Sequence, residues 1–232
     1  VDNWISWHTS LGNLGYVYLN KTNAAGSGAE VWNSTLPSST VFSVGTSSNA
    51  NTNGQTMVSY CWAAVAGYSA FGSYTGNGSN RTISHSIGAV PHFMIVKART
   101  TAGTDQGWAV YHRNLTSAVY YLVLNTNATE ASGATVWNST APTSSVFSVG
   151  TSALTNTNND TYLAYLWTEI SGFSRFGFYT GNASTDGPFV WCGFRPKFIM
   201  WKFITSTGYF DIVDTSRSTF NPDSGTALQS GT

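Results

Sequence analysis

Residues 32–81 recur without a gap as residues 137–186, a displacement of 105 positions, and 28 of the 48 positions from 32 to 79 are identical in the two copies. Trp32-Asn33-Ser34-Thr35 returns as Trp137-Asn138-Ser139-Thr140, Val41 to Gly45 as Val146 to Gly150, and Tyr74-Thr75-Gly76-Asn77 as Tyr179-Thr180-Gly181-Asn182. A period this long marks repeated domains and excludes a solenoid of short elements. A unit of about 100 residues can bury a core of its own, so the chain is expected to be a tandem of domain-sized units.

Within each unit the pattern is that of strands. Runs rich in β-branched and aromatic residues, bounded by Gly, Asn, Ser and Pro, follow one another along the chain, whereas helical periodicity is almost absent. Met57 to Val65 places apolar residues on both faces of an extended segment, the signature of a central strand covered on two sides, and Tyr162 to Ile170 is its copy. Further strands are expected at Phe93 to Val96, Trp108 to Tyr111, Tyr120 to Leu124, Val146 to Val149 and Phe198 to Lys202. The fold class is therefore all-β: tandem β-sandwich units of jelly-roll type with a repeat of about 105 residues.

The repeat continues beyond its best segment. Gly88, Pro91, Phe93 and Lys97 reappear as Gly193, Pro196, Phe198 and Lys202, and Trp4, His8 and Leu11 match Trp108, His112 and Leu115 after a one-residue slip. Cutting the units at Gly67-Tyr68-Ser69 and Gly172-Phe173-Ser174 gives three pieces. Residues 1–68 are the later two-thirds of one unit, 69–173 a complete unit, and 174–232 the opening half of another. An open sheet edge carries unpaired backbone groups, so the last piece is expected to complete the first, within a chain or in a neighbour.

Charged residues make up only 9% of the chain, ten basic and ten acidic. That balance provides no electrostatic footprint for a nucleic acid or an anionic membrane, and no apolar run reaches the length of a transmembrane helix. Cys61 and Cys192 have Leu166 and Ile87 at their sister positions, so each is expected to be a buried free thiol in an apolar site.

Tyr74-Thr75-Gly76-Asn77-Gly78, then Ile83, His85, Gly88, Pro91 and Phe93 to Lys97, then Trp108, Val110, Tyr111 and His112, form an ordered set of motifs. This set resembles the tandem units of bacteriophage virion proteins, in particular the tail-fibre proteins of marine phages. Gly187-Pro188-Phe189-Val190 with Gly193-Phe194-Arg195-Pro196 and Phe198 is similar to the opening of the next unit in such arrays. These units are described as similar to concanavalin A-like lectin or glucanase domains. The resemblance implies a jelly-roll sandwich, a place in the virion or at an extracellular surface, other virion proteins and further copies of the chain as partners, and a surface role for which host surface glycan is a candidate ligand. It names no ligand chemistry by itself.

The residues themselves argue against catalysis. Glycoside hydrolysis needs two opposed carboxylates, yet no Glu-x-Asp-x-Glu strand occurs, and Glu169, the acid inside an expected central strand, has Ala64 as its counterpart. His8, His85, His92 and His112 lack zinc-site spacing, and Asp211, Asp214 and Asp160 form no recognised calcium loop. No cofactor and no resident metal are expected. Aromatic rings remain, since sugars stack their C–H faces on them while amides fix the hydroxyls. Trp32 with Asn33, and Trp137 with Asn138, are the candidate glycan contacts; the alternative is that each Trp plugs the sandwich end and the Asn makes a turn. The functional expectation is a non-enzymatic structural and adhesive virion module, with a ligand-free spacer or capsid-decorating protein, and then a glycan-degrading enzyme, as alternatives.

Overall fold

A computed structural model describes residues 3–100, 106–217 and 227–230. Its first part holds β1 (Ile5–Ser6), β2 (Gly15–Tyr18), β3 (Gly26–Ser27) and the single-turn helices α1 (Ala29–Trp32) and α2 (Ser48–Asn51). The middle part holds β4 (Ser69–Thr75), β5 (Arg81–Ser84), β6 (Phe93–Ala98), β7 (Trp108–His112), β8 (Tyr120–Val123), β9 (Ala131–Ser132), α3 (Ala134–Trp137), β10 (Val146–Val149), α4 (Ala153–Asn156) and β11 (Thr161–Trp167). The last part holds β12 (Phe198–Trp201), β13 (Asp211–Asp214) and β14 (Leu228–Gln229). Among the described residues no helix is long and apolar enough to cross a membrane.

The protein is all-β and antiparallel throughout. Its main sheet has the order β4-β11-β6-β7-β8-β9, and β10 pairs with β5 in a second, two-stranded sheet. The period-two alternation of strands sorts the large side chains by face. On one face Ala70, Met94, Val96, Ala109, Tyr162, Ala164 and Leu166 meet Ile83, Phe147 and Val149 of the small sheet and Val136 and Trp137 of α3. On the other face Phe93, Ile95, Trp108, Val110, Leu163, Tyr165 and Trp167 carry the bulk of the aromatic surface. That second face is covered from both ends of the chain, by Leu11, Val17 and Leu19 and by Met200, Ile204 and Phe210. β11 is buried on both faces and paired on both edges, which is what its continuous apolar run predicts.

The expected strands at Phe93, Trp108, Tyr120, Val146 and Phe198 are present. The expected strand from Met57 to Val65 is not: residues 55–64 are largely exposed and carry no regular structure. Its sequence matches β11, but β11 lies between β4 and β6, and residues 56–62 have no such neighbours. A central strand is stable only between partners that satisfy its backbone groups. Cys61, on this segment, is exposed with it, and Cys192 is half-buried, so neither thiol has the burial expected of it; both are free.

Both expected unit junctions are the same tight turn. Gly67 and Gly172 adopt φ of 78° and 75°, the left-handed region open to glycine, and isolated bridges Val65–Ser69 and Ile170–Ser174 close the two turns.

Candidate functional site

The candidate glycan residues lie at the ends of α1 and α3. Each helix makes one turn and stops at an Asn in the left-handed region, Asn33 at φ 52° and Asn138 at φ 50°. Ser34 and Ser139 follow in the same region, at 51° and 49°. Two successive left-handed residues other than glycine are costly, and both copies hold them in the same way. Thr35 and Thr140 donate their amides to the carbonyls of Trp32 and Trp137, each at 3.0 Å, and their hydroxyls to the carbonyls of Asn33 and Asn138 at 2.8 and 2.7 Å. Ser34, Thr35, Ser139 and Thr140 are exposed, with Asn33 exposed and Asn138 half-buried.

The tryptophans beside these turns face inward. Trp137 is 1% exposed and meets Tyr111 edge to face, so neither face of its indole is open to a sugar. Trp32 is half-buried, and its Nε1 donates to the Gly15 carbonyl at 3.0 Å. Trp137 anchors its turn from the core and Trp32 is tied to β2, while the Ser and Thr of each turn stay exposed.

A second feature is an ion cluster that local sequence gives no sign of. Glu169 accepts from Arg113 Nη2 at 2.9 Å and from Arg175 Nη1 at 2.5 Å, while its amide donates to His92 Nδ1 at 3.1 Å. Arg175 also lies over the Trp191 ring, 5.6 Å from its centroid. Burial alone would raise the Glu169 carboxyl, but the Phe176 amide and the two guanidinium groups hold it below the ordinary range. A general acid needs the opposite displacement. Arg113 and Glu169 are 56 residues apart, and only the pairing of β11 with β6 and of β6 with β7 brings them together.

The histidines act as caps. His8 Nδ1 accepts from the Ser10 amide and His112 Nδ1 from the Asn114 amide, both at 3.1 Å. Asp214, which replaces His112 in the last unit, makes the same contact through Oδ1 to the Ser216 amide at 2.9 Å. Burial pulls His8 and His112 down to about 4, so both rings are neutral near pH 7. Burial opposes ionisation of Asp214, but the Tyr60 hydroxyl and Arg217 hold its carboxyl at about 2. Asp211 accepts from Gln229 and Asp160 from Thr100, and no group of three or more His, Cys, Asp or Glu side chains is gathered for a metal among the described residues.

A cleft of about 300 Å³ opens between β4 and β5, walled by Tyr74, Phe147 and Leu166 and rimmed by Ser73, Ser84 and His85. His85 Nε2 lies 3.1 Å from the Thr143 carbonyl, and its Nδ1 has no hydrogen-bond partner. Apolar walls with a few polar rim groups are the usual make-up of a small-molecule site.

A family model described as a domain of unknown function, DUF7483, matches residues 1–80 and again residues 73–232. No curated protein and no solved structure matches the chain.

Proposed function

We propose that this chain, which belongs to the DUF7483 family, is a non-enzymatic structural and adhesive module of a bacteriophage virion, part of a tail fibre or related appendage, and that it binds host surface glycan weakly at each unit. The observation that carries this reading is the repeated Asn-Ser-Thr turn. Identical residues are held in the same uncommon backbone conformation in both copies, with the Ser and Thr of each turn exposed. An uncharged polar edge of this kind exchanges hydrogen bonds with sugar hydroxyls, and its repetition lets avidity supply the affinity that one turn lacks.

The chemistry supports adhesion over hydrolysis. Glu169 is clasped by two arginines with its carboxyl held down, and its counterpart in the first unit is Ala64. The resemblance to phage virion units supplies the location, outside the host cell, and the partners, other virion proteins and further copies of the chain.

Asn33→Gly with Asn138→Gly is the discriminating variant, because glycine keeps the left-handed backbone while removing the carboxamide. The expected outcome is a loss of host-cell or glycan-array binding of tenfold or more (about 1.4 kcal/mol) with an unchanged circular dichroism spectrum. Binding that is unaltered, or absent in the parent protein as well, leaves the spacer role in its place.

A further inference from the structure

We propose that the two ends of the chain close on each other, with residues 174–180 and 198–201 flanking residues 56–62 to build a second β-sandwich that is discontinuous in sequence. Residues 56–62 are the copy of β11. The copies of its two partners, β4 and β6, are residues 174–180 and 198–203. In the first of these no strand is formed, and β12 pairs with β13 alone, so the edge that β6 gives to β11 is left open in β12.

The side chains that stand exposed along these segments are copies of core residues. Phe42 is 45% exposed where its equivalent Phe147 is 2%, and Met57 is 48% exposed where Tyr162 is fully buried. Val44, Val58, Ile199 and Phe203 are exposed too, at the positions of the buried Val149, Leu163, Met94 and Ala98. Residues 31–80 carry no charged side chain, so no charge along the first segment opposes burial. Left open, it is an unprotected strand edge of the kind that soluble proteins avoid.

Part of the closure is already in place. Trp62 lies 6.1 Å from Phe198, and the equivalent pair in the complete unit, Trp167 and Phe93, stands at 5.6 Å. Tyr60 donates its hydroxyl to Asp214 of β13 at 2.7 Å. Equivalent residues also meet each other: Trp62 touches Trp167 at 5.8 Å, and Tyr68 touches Phe173 at 5.0 Å. Contacts between a position and its own copy are the mark of a twofold relation.

That twofold selects the same chain as the occupant. The backbone leaving residues 56–62 turns at Val65–Ser69 into β4, which pairs with β11. The backbone leaving β11 makes the same turn at Ile170–Ser174 and enters residues 174–180. Under the twofold, residues 174–180 run along 56–62 as β4 runs along β11. The register of β4 on β11 then places Thr56 opposite Thr180 and Met57 opposite Tyr179. Cys61 and Cys192, at the positions of the buried Leu166 and Ile87, both enter the new core.

The unmodified full chain provides the first readout. Closure predicts that both thiols react with an aromatic disulfide reagent roughly a hundredfold or more slowly in the native protein than in denaturant. It also predicts that amides 57–62 exchange with solvent as slowly as amides 162–167. Thiols that react at the denatured rate, or amides 57–62 that exchange freely, overturn it. The second readout uses Cys61→Ala and Cys192→Ala combined with either Thr56→Cys and Thr180→Cys or Met57→Cys and Tyr179→Cys. One of these adjacent pairs is the closer, non-hydrogen-bonded kind, within disulfide reach. Oxidation in dilute solution is expected to give a cross-linked monomer. Disulfide-linked dimers overturn the assignment to one chain and make a second copy the occupant.

Discussion

Trp62 and Trp167, one repeat apart, meet edge to face with their ring centroids 5.8 Å apart. Trp167 is at the centre of the aromatic face of the main sheet, against Phe71, Phe93 and Tyr165. Trp167→Ala is expected to cost about 3–5 kcal/mol, the range for removing a large buried aromatic. A double-mutant cycle with Trp62→Ala, read by urea unfolding, should return a coupling of about 0.5–1.5 kcal/mol, as for other aromatic pairs. A coupling of zero would mean that the two rings share a place but no energy.

Asn156 holds the second layer to the first. Its side chain is fully buried, with Nδ2 donating to the carbonyls of Gly150 at 2.6 Å and Ser79 at 2.7 Å and to Asn77 Oδ1 at 3.1 Å, while Oδ1 accepts from the Asn77 amide at 2.9 Å. Asn156→Ala strands several buried groups at once, each worth about 1–3 kcal/mol when left unpaired. The expected loss is about 3–5 kcal/mol in chemical denaturation, and Asn156→Asp, which reverses the donor side, should rescue none of it.

His8 and His112 make stability fall in mild acid. Burial sets each ring at about 4 in the folded protein, against 6.5 in an unfolded chain. As pH drops below 6.5 the unfolded state takes up protons first, so the stability these rings contribute is complete above 6.5, declines between 6.5 and 4, and changes no further below. Each ring accounts for up to about 3 kcal/mol over that window. Asn in place of each His keeps an acceptor near the Ser10 and Asn114 amides, so the urea midpoint of the double variant should fall less between pH 7 and pH 5 than that of the parent, the remaining fall coming from His85 and His92, whose rings burial also lowers.

The residues that made the fold legible are those whose signal is local. Runs of β-branched and aromatic residues mark β6, β7, β8, β10 and β11 directly, and the Gly-aromatic-Ser steps mark the turns at Gly67 and Gly172. What such runs cannot supply is the identity of a strand's neighbours. Residues 56–62 therefore read as a central strand from pattern alone, yet stand open where their partners are not docked, and Cys61 follows them out of the core. The same limit applies to the candidate site. The Asn-Ser-Thr turn is visible as a turn, but the inward facing of Trp137 depends on Tyr111, a residue in another strand. The reach of Arg113 to Glu169 depends on strand order, which no spacing encodes, whereas Arg175 meets the same carboxylate across the local turn at Gly172. The single-turn helices α1 to α4 are too short for helical periodicity to register.

Lys97 makes stability rise in mild alkali. Its side chain is fully buried, with Nζ donating to the carbonyls of Gln106 at 2.8 Å and Thr22 at 3.3 Å, and it lies 6.0 Å from the centre of the Trp108 ring. Burial lowers the ammonium to about 8, against 10.5 in the free side chain. Above pH 8 the folded protein gives up this proton before the unfolded chain does, so the burial penalty on the charge fades and stability rises with pH. Between pH 8 and about 9.5, before unfolded-state tyrosines ionise, the gain should approach about 2 kcal/mol. Lys97→Met should remove that rise and, by leaving two carbonyls unpaired, should lower stability at pH 7 by about 1–3 kcal/mol. Urea midpoints measured from pH 7 to pH 9.5 on both proteins check the two effects together, and a rise that persists in the variant would assign it to another group.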